Sequence, residues 1–247
     1  MTICEVGHSV RVIRIDTRPK PAGGVADIVR GVPEPLPIAV LVSGAGTNLQ
    51  ALLDTVHGHE AQVVGVASSV AGAKALERAE QRGVPAAVFA RADYADRATR
   101  DEALADWLTD RGARLVVLAG YMELLCGHFL GRFPGAVINV HPSLLPAFPG
   151  LNAIGQALAY GVQVFGVTVH FVDEGVDTGP VILQRAVELP GARSEEQVLG
   201  ALRPLEHALL PQAVRLFARG ELALDPDDPR RTLRARAGAS ADDPSEG

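Results

Sequence analysis

Short apolar, β-branched runs alternate with segments of helical spacing from residue 37 to residue 224, and this alternation narrows the fold more than any other feature. Residues 38–42, 63–67, 86–89, 115–119 and 136–140 read as strands. Between them, 47–56, 71–82 and 94–110 carry apolar residues three and four apart, and Gly112 ends the last of these helices. Strands apolar on both faces and separated by helices predict a parallel sheet covered on both sides, a doubly wound α/β layout. Ligands in such a sheet sit beyond the carboxyl ends of the strands.

The pattern changes after residue 160. Two further strands, 164–172 and 181–189, are joined by 173–180, too short for a crossover helix, so this C-terminal pair is expected to be antiparallel. Ser194 with Gln197 three residues on is a capping-box signature opening a helix to about Arg219. Pro204 and Pro211 inside it predict a kink or a break. The expected fold class is α/β, doubly wound, with a mostly parallel sheet and an antiparallel C-terminal strand pair.

Residues 1–36 read as an N-terminal extension rich in proline and glycine, in which only 10–15 has the composition of a strand. Residues 225–247 have few apolar positions and little periodicity, and a disordered tail is expected there. Residues 37–224 form the expected folded domain.

Composition removes several function classes. A formal charge of −6 argues against a nucleic-acid partner, because polyanion binding needs a net basic face. Apolar runs such as 115–122 fall far short of the roughly 18 residues that span a bilayer, so no membrane partner is expected. Cys4 and Cys126 are too few for a disulfide scaffold, which fits a reducing compartment. Glu5, His8, Arg11 and Arg14 interrupt any apolar signal core. A soluble, cytoplasmic protein is expected, either monomer or homodimer.

The first strand runs into Ser43-Gly44-Ala45-Gly46-Thr47-Asn48. Glycines let the backbone approach a ligand, and free N–H groups at a helix start favour an anion. Thr47 and Asn48 add a hydroxyl and an amide, so a single phosphate suits the loop. A dinucleotide suits it less, because Leu49 stands where the fingerprint needs a third glycine. The alternative is a tight turn with Thr47 as the helix cap.

Asn139 and His141, two apart at the end of a strand, share one face. Asp177 lies in a loop with glycines on both sides. Asn, His and Asp together suit acyl transfer without a covalent enzyme intermediate. The amide donates to a developing oxyanion, the imidazole stabilises it and moves a proton, and the carboxylate favours the imidazolium. Ser143 lacks the Gly-x-Ser-x-Gly elbow of a nucleophile. The seven histidines and two cysteines show no zinc-type spacing, and no metal is expected.

Several segments together resemble the glycinamide ribonucleotide (phosphoribosylglycinamide) formyltransferase family of purine biosynthesis. They are Leu41-Val42-Ser43-Gly44-Ala45-Gly46-Thr47-Asn48-Leu49-Gln50, Val117-Leu118-Ala119-Gly120-Tyr121-Met122 and Ile138-Asn139-Val140-His141-Pro142-Ser143-Leu144-Leu145-Pro146, followed by Gly166-Val167-Thr168-Val169-His170-Phe171-Val172, Asp177-Thr178-Gly179-Pro180 and Glu206-His207. The resemblance covers roughly residues 37–224 and implies the family's Rossmann-type fold. It also implies transfer of a formyl group from 10-formyltetrahydrofolate, a cosubstrate, to the amine of 5′-phosphoribosylglycinamide.

By that resemblance Asn139, His141 and Asp177 are catalytic, and Gly46, Thr47 and Asn48 hold the substrate phosphate. Arg203 and Glu206 contact the rest of the ribonucleotide. Arg97, Met122, Glu123, Leu124, Leu125, Asn139, Asp173 and Asp177 fall on the folate side, Arg97 where the family pairs an arginine with the folate glutamate. Without the resemblance, Met122, Leu124 and Leu125 read as ordinary core. Four positions depart from common members: Ala147 stands in place of a lysine, Asn152 and Ile154 in place of histidines, and Glu123 in place of a basic residue.

The nearest rival is formyltetrahydrofolate deformylase, which shares this core but usually carries a preceding domain of about 80 residues. A formyl-methionyl-tRNA synthesising enzyme would need a further C-terminal domain and a basic surface. A non-catalytic module for a phosphorylated metabolite would explain the glycine loop but leave Asn139, His141 and Asp177 without a purpose.

Overall fold

The apolar run at the start of the domain forms strand β1, Leu36–Val42, an interior strand of a seven-stranded sheet. The computed structural model describes residues 34–224, 228 and 231–234. The expected strand at 10–15 lies outside the described residues. β1 begins one residue inside the stretch assigned to the extension, because Leu36 already pairs with Ala61 of the next strand.

From β1 the chain passes through helix α1 (Thr47–Thr55) to β2 (Ala61–Ser68), then through α2 (Lys74–Gln81) to the short β3 (Ala86–Val88). A single 3₁₀ turn, Arg91–Asp93, precedes α3 (Arg97–Asp110), whose Asp96 caps it by accepting from the Thr99 N–H at 2.8 Å. The chain then returns to the other side of β1 as β4 (Leu115–Leu118). A short helix α4 (Gly127–Arg132) leads to β5 (Val137–His141), and α5 (Ala153–Tyr160) leads to β6 (Val164–Phe171). β7 (Val181–Glu188), α6 (Glu195–Ala218), β8 (Leu222–Leu224) and β9 (Thr232–Arg234) complete the order.

The sheet order is β3-β2-β1-β4-β5-β6-β7, parallel from β3 to β5 and antiparallel at the β5–β6 and β6–β7 pairs. The expected fold class is therefore observed, antiparallel C-terminal pair included. The winding direction reverses between β1 and β4, so their carboxyl ends part there and open a crevice. Ile38 to Val42 of β1 and Leu115 to Val117 of β4 are fully buried, as strands covered by helices on both faces must be.

Two expectations need correction. Of the kink or break expected at Pro204 and Pro211, the break does not occur: α6 runs as one helix from Glu195 to Ala218. Each proline removes one helical hydrogen bond. The helix persists because Val198, Leu202, Leu209, Leu210, Val214 and Phe217 bury one face of it on both sides of the prolines. The Ser194 cap forms as expected, accepting from the Gln197 N–H at 3.3 Å, while the Gln197 side chain accepts from the Arg193 N–H.

The tail is the second correction. Thr232–Arg234, inside the stretch expected to be disordered, pairs antiparallel with β8, and Arg231 bridges to Val181 at the start of β7. Main-chain hydrogen bonds make this ribbon, so it needs no apolar periodicity to exist. The remainder of the tail, apart from Asp228 and Arg231, lies outside the described residues.

Candidate active site

The strand periodicity that put Asn139 and His141 on one face also selects their neighbours. Across the antiparallel β5–β6 pair, Asn139 stands opposite His170 and His141 opposite Thr168. Directly opposed residues share a face of the sheet. His170 therefore joins the expected pair, although sequence reasoning gave it no role. The signal was its place in an alternating strand, but only the register between strands turns that into proximity.

Asp177 arrives from the loop between β6 and β7, with its backbone in the left-handed region at φ 54°. That conformation turns its carboxylate back over the two strands. Oδ2 accepts from the Gly150 N–H at 2.7 Å and lies 3.3 Å from His141 Nδ1. Oδ1 accepts from Asn139 Nδ2 at 3.3 Å and lies 3.5 Å from His170 Nε2. Burial alone would raise the pKa of this acid. The His170 side chain, the Gly150 N–H and the charges of His141 and His170 outweigh burial and hold it at about 2. The carboxylate is thus ionised throughout the neutral range.

Both histidines are nearly buried, His141 at 5% and His170 at 1% exposure. His170 donates from Nδ1 to the Phe171 carbonyl at 2.7 Å, since a carbonyl only accepts. Its Nε2 then serves one of two neighbours. A neutral ring accepts from Asn139 Nδ2 at 3.2 Å, and a protonated ring donates to Asp177. His141 faces acceptors at both nitrogens: Asp177 at Nδ1 and the Phe148 carbonyl, 2.9 Å from Nε2. A doubly protonated ring donates to both, a neutral ring to one. Ser143 is 4% exposed and gives its hydroxyl to the Ala147 carbonyl at 2.6 Å, so it is not poised as a nucleophile.

Asn139, His141, His170 and Asp177 line a cleft of about 750 Å³ whose walls include Arg97, Met122, Leu124, Leu125 and Val176. Met122 and Leu124 are 63% and 56% exposed, which overturns the reading of them as core. Glu123 and Asp173 also line the cleft. Asp173 Oδ1 accepts from its own loop, from the Gly175 N–H and the Thr178 hydroxyl, and so shapes the wall between β6 and β7. Among the described residues no group of three or more His, Cys, Asp or Glu is arranged to hold a metal ion.

The glycine loop is a separate construction beside the cleft. Gly46, not Thr47, is the N-cap of α1, and no side chain caps the helix. Gly46 has φ 69°, and a Cβ there would lie 2.6 Å from the Ala75 Cβ of α2, so only glycine fits. Arg78 of α2 braces the loop by donating to the Ala45 carbonyl at 2.9 Å. The Asn48 amide donates to Glu206 on α6 at 2.9 Å, while its buried Oδ1 has no hydrogen-bond partner among the described residues. Burial raises the Glu206 pKa, with Asn48 and Arg203 opposing. Neither Gly46, Thr47, Asn48, Arg203 nor Glu206 lines the cleft. The link between the two places is Ser43, whose N–H donates to the Gly120 carbonyl at 3.0 Å and whose hydroxyl accepts from the Met122 N–H at 2.9 Å.

Residues 36–214 match the family model described as formyl transferase. The chain is 41% identical over 189 residues to the phosphoribosylglycinamide formyltransferase of Haemophilus influenzae, covering 76% of this chain and 89% of that protein. It is 40% identical over 194 residues to the trifunctional purine biosynthetic protein adenosine-3 of Drosophila melanogaster, covering 77% of this chain but only 14% of that longer protein. Among solved structures, glycinamide ribonucleotide transformylase 1 from Symbiobacterium toebii superposes with a TM-score of 0.77 at 44% identity, covering 86% of this chain and 99% of that one. A formyltetrahydrofolate deformylase from Pseudomonas syringae superposes with a TM-score of 0.75 at 25% identity, covering 82% and 67%. Among the described residues no helix is long and apolar enough to cross a membrane.

Proposed function

The chain belongs to the formyl transferase family, as a phosphoribosylglycinamide formyltransferase, and from that premise we propose how it acts. The donor is 10-formyltetrahydrofolate, the acceptor is the amine of 5′-phosphoribosylglycinamide, and Asn139, His141 and Asp177 carry the chemistry. The observation that carries this reading is the convergence of those three side chains, from β5 and a distant loop, on one wall of a cleft.

The amine nitrogen attacks the formyl carbon, and a C–N bond forms while the carbonyl oxygen gains negative charge. The Asn139 amide and a protonated His141 donate to that oxygen, exchanging present partners for it. Asp177, ionised at neutral pH, keeps the His141 ring oriented and stabilises its charge. The tetrahedral carbon collapses with cleavage of its bond to N10 of the folate. The amine loses one proton and N10 gains one, so the products are the N-formyl ribonucleotide and tetrahydrofolate. His141 is placed to relay that proton. No covalent enzyme intermediate is needed, which agrees with the hydroxyl of Ser143 being committed to Ala147.

The pterin ring takes the apolar part of the cleft beside Met122, Leu124 and Leu125, and Arg97 at its mouth faces the anionic glutamate. The phosphate of the acceptor takes the Gly46–Thr47 turn at the start of α1, where free N–H groups and the helix dipole favour an anion. Glu206, held by Asn48, accepts hydrogen bonds from the ribose or the amine.

Incubation of the protein with 10-formyltetrahydrofolate, with and without phosphoribosylglycinamide, tests the reading. Tetrahydrofolate release that requires the ribonucleotide is expected. Release without it would make the chain a deformylase, and no release in either mixture would leave a binding module.

A further inference from the structure

Arg100 heads the fully buried side chains by volume at 1% exposure, and its neighbour Asp101 is 0% exposed. Both sit on α3 and take no part in the chemistry above. A buried guanidinium is tolerated only where its donors are met. Arg100 meets them by donating to Asp101 Oδ1 through Nε and Nη2, at 3.0 and 2.8 Å, to Glu123 Oε2 at 2.8 Å and to the Leu124 carbonyl at 3.1 Å. The second oxygen of Asp101 accepts from the Cys126 N–H at 2.7 Å. Three positions of the 120–126 segment thus hang on one pair of buried charges, and this segment carries Met122 and Leu124 into the cleft.

The charges matter as well as the positions. Arg100, Asp101 and Glu123 together carry one net negative charge. Glu123 is the member that reaches the cleft, with its side chain 29% exposed, and Arg97 lines the same cleft. We propose that Arg100 is a positioning residue that also masks Glu123, and that this pair sets how strongly the cleft mouth discriminates among donors by the anionic charge of their tails. The inference rests on the proposed folate donor.

Removing the mask leaves a bare carboxylate that repels an anionic tail. Removing the carboxylate leaves Arg100 paired with Asp101 and takes a negative charge out of the cleft that Arg97 also lines. The two changes therefore shift one ratio in opposite directions, which a merely structural role does not do.

The test measures KM for 10-formyltetrahydrofolate bearing one glutamate and three, in wild type, Glu123→Gln, Arg100→Met, Arg100→Lys and the Arg100→Met/Glu123→Gln double variant. The preference for the longer tail rises about three- to tenfold in Glu123→Gln and falls by about the same factor in Arg100→Met. The double variant returns toward wild type, and Arg100→Lys stays near it. Salt at about 1 M, where the Debye length is about 3 Å, compresses the differences. The ribonucleotide KM is the control and moves by less than about twofold.

Equal shifts for both donors, or an unchanged preference in Glu123→Gln, overturn the inference while leaving the donor assignment intact. If Arg100→Met does not fold, Glu123→Gln and Arg100→Lys still decide it. Failure of the wild type to release tetrahydrofolate overturns the donor assignment first, and this inference with it.

Discussion

The cluster on β5 and β6 and the glycine loop at the start of α1 are built in opposite ways. In the cluster, Asn139, His141, His170 and Asp177 hold one another through side-chain contacts between 3.2 and 3.5 Å, with the Gly150 N–H and the Phe148 and Phe171 carbonyls closing the network. In the loop the shape is a backbone matter: Gly46 at positive φ against α2, with Arg78 gripping the Ala45 carbonyl. Preorganised side-chain dipoles suit a reacting carbonyl, whose charge changes during reaction. Main-chain N–H groups at a helix start suit a phosphate, whose charge stays constant. Damage to the first region should therefore appear in turnover, and damage to the second in affinity for one substrate.

The sharpest way to break that distinction is in the cluster. Asp177→Asn and His141→Ala are each expected to lower kcat by about 10²- to 10⁴-fold, with KM for the ribonucleotide nearly unchanged. Wild-type-like turnover in either purified variant would sink the assignment. Gly46→Ala comes next: it adds a Cβ at positive φ against Ala75 and should raise KM for the phosphorylated substrate by about 10- to 100-fold, with a lower Tm. A kcat defect with unchanged KM would erase the contrast.

The third test uses acid. Asp177 has a folded pKa of about 2 against an ordinary value of 3.8. A depressed carboxylate stabilises the fold above its unfolded pKa, and that stability is lost as pH falls through its folded pKa. The contribution is about 2 kcal/mol, present above roughly pH 4 and lost toward pH 2. Denaturant titrations of wild type and Asp177→Asn should show the gap between them narrowing across that window. A gap independent of pH would mean that the carboxylate is not held as described. The smallest effect is expected of Asn48→Ala, which frees Glu206 and should raise KM for the ribonucleotide by about three- to tenfold while sparing the folate.

The same contrast governs how much could be read in advance. Gly46 and the Asn139–His141 spacing are local features, since a turn and a strand period are encoded by neighbours in sequence. Asn48 was read as a phosphate donor because it follows the loop. What its position in the chain does not show is the bond its amide makes to Glu206, 158 positions away. Met122 and Leu124 are apolar and read as core, yet the segment they occupy is anchored by the buried Arg100 and Asp101, a contact that no local pattern announces.

The chain by itself determined the α/β layers and the shared face of Asn139 and His141 through its periodicity, and the antiparallel ending through the short 173–180 connection, because alternation and connection length are properties of consecutive positions. Tertiary structure alone decided that His170 faces Asn139 and that Asp177 turns back onto both histidines. It also decided that α6 runs through two prolines and that Thr232–Arg234 finds β8. Each of these depends on register or packing between segments distant in sequence, and interactions of that kind leave no period in the chain that makes them.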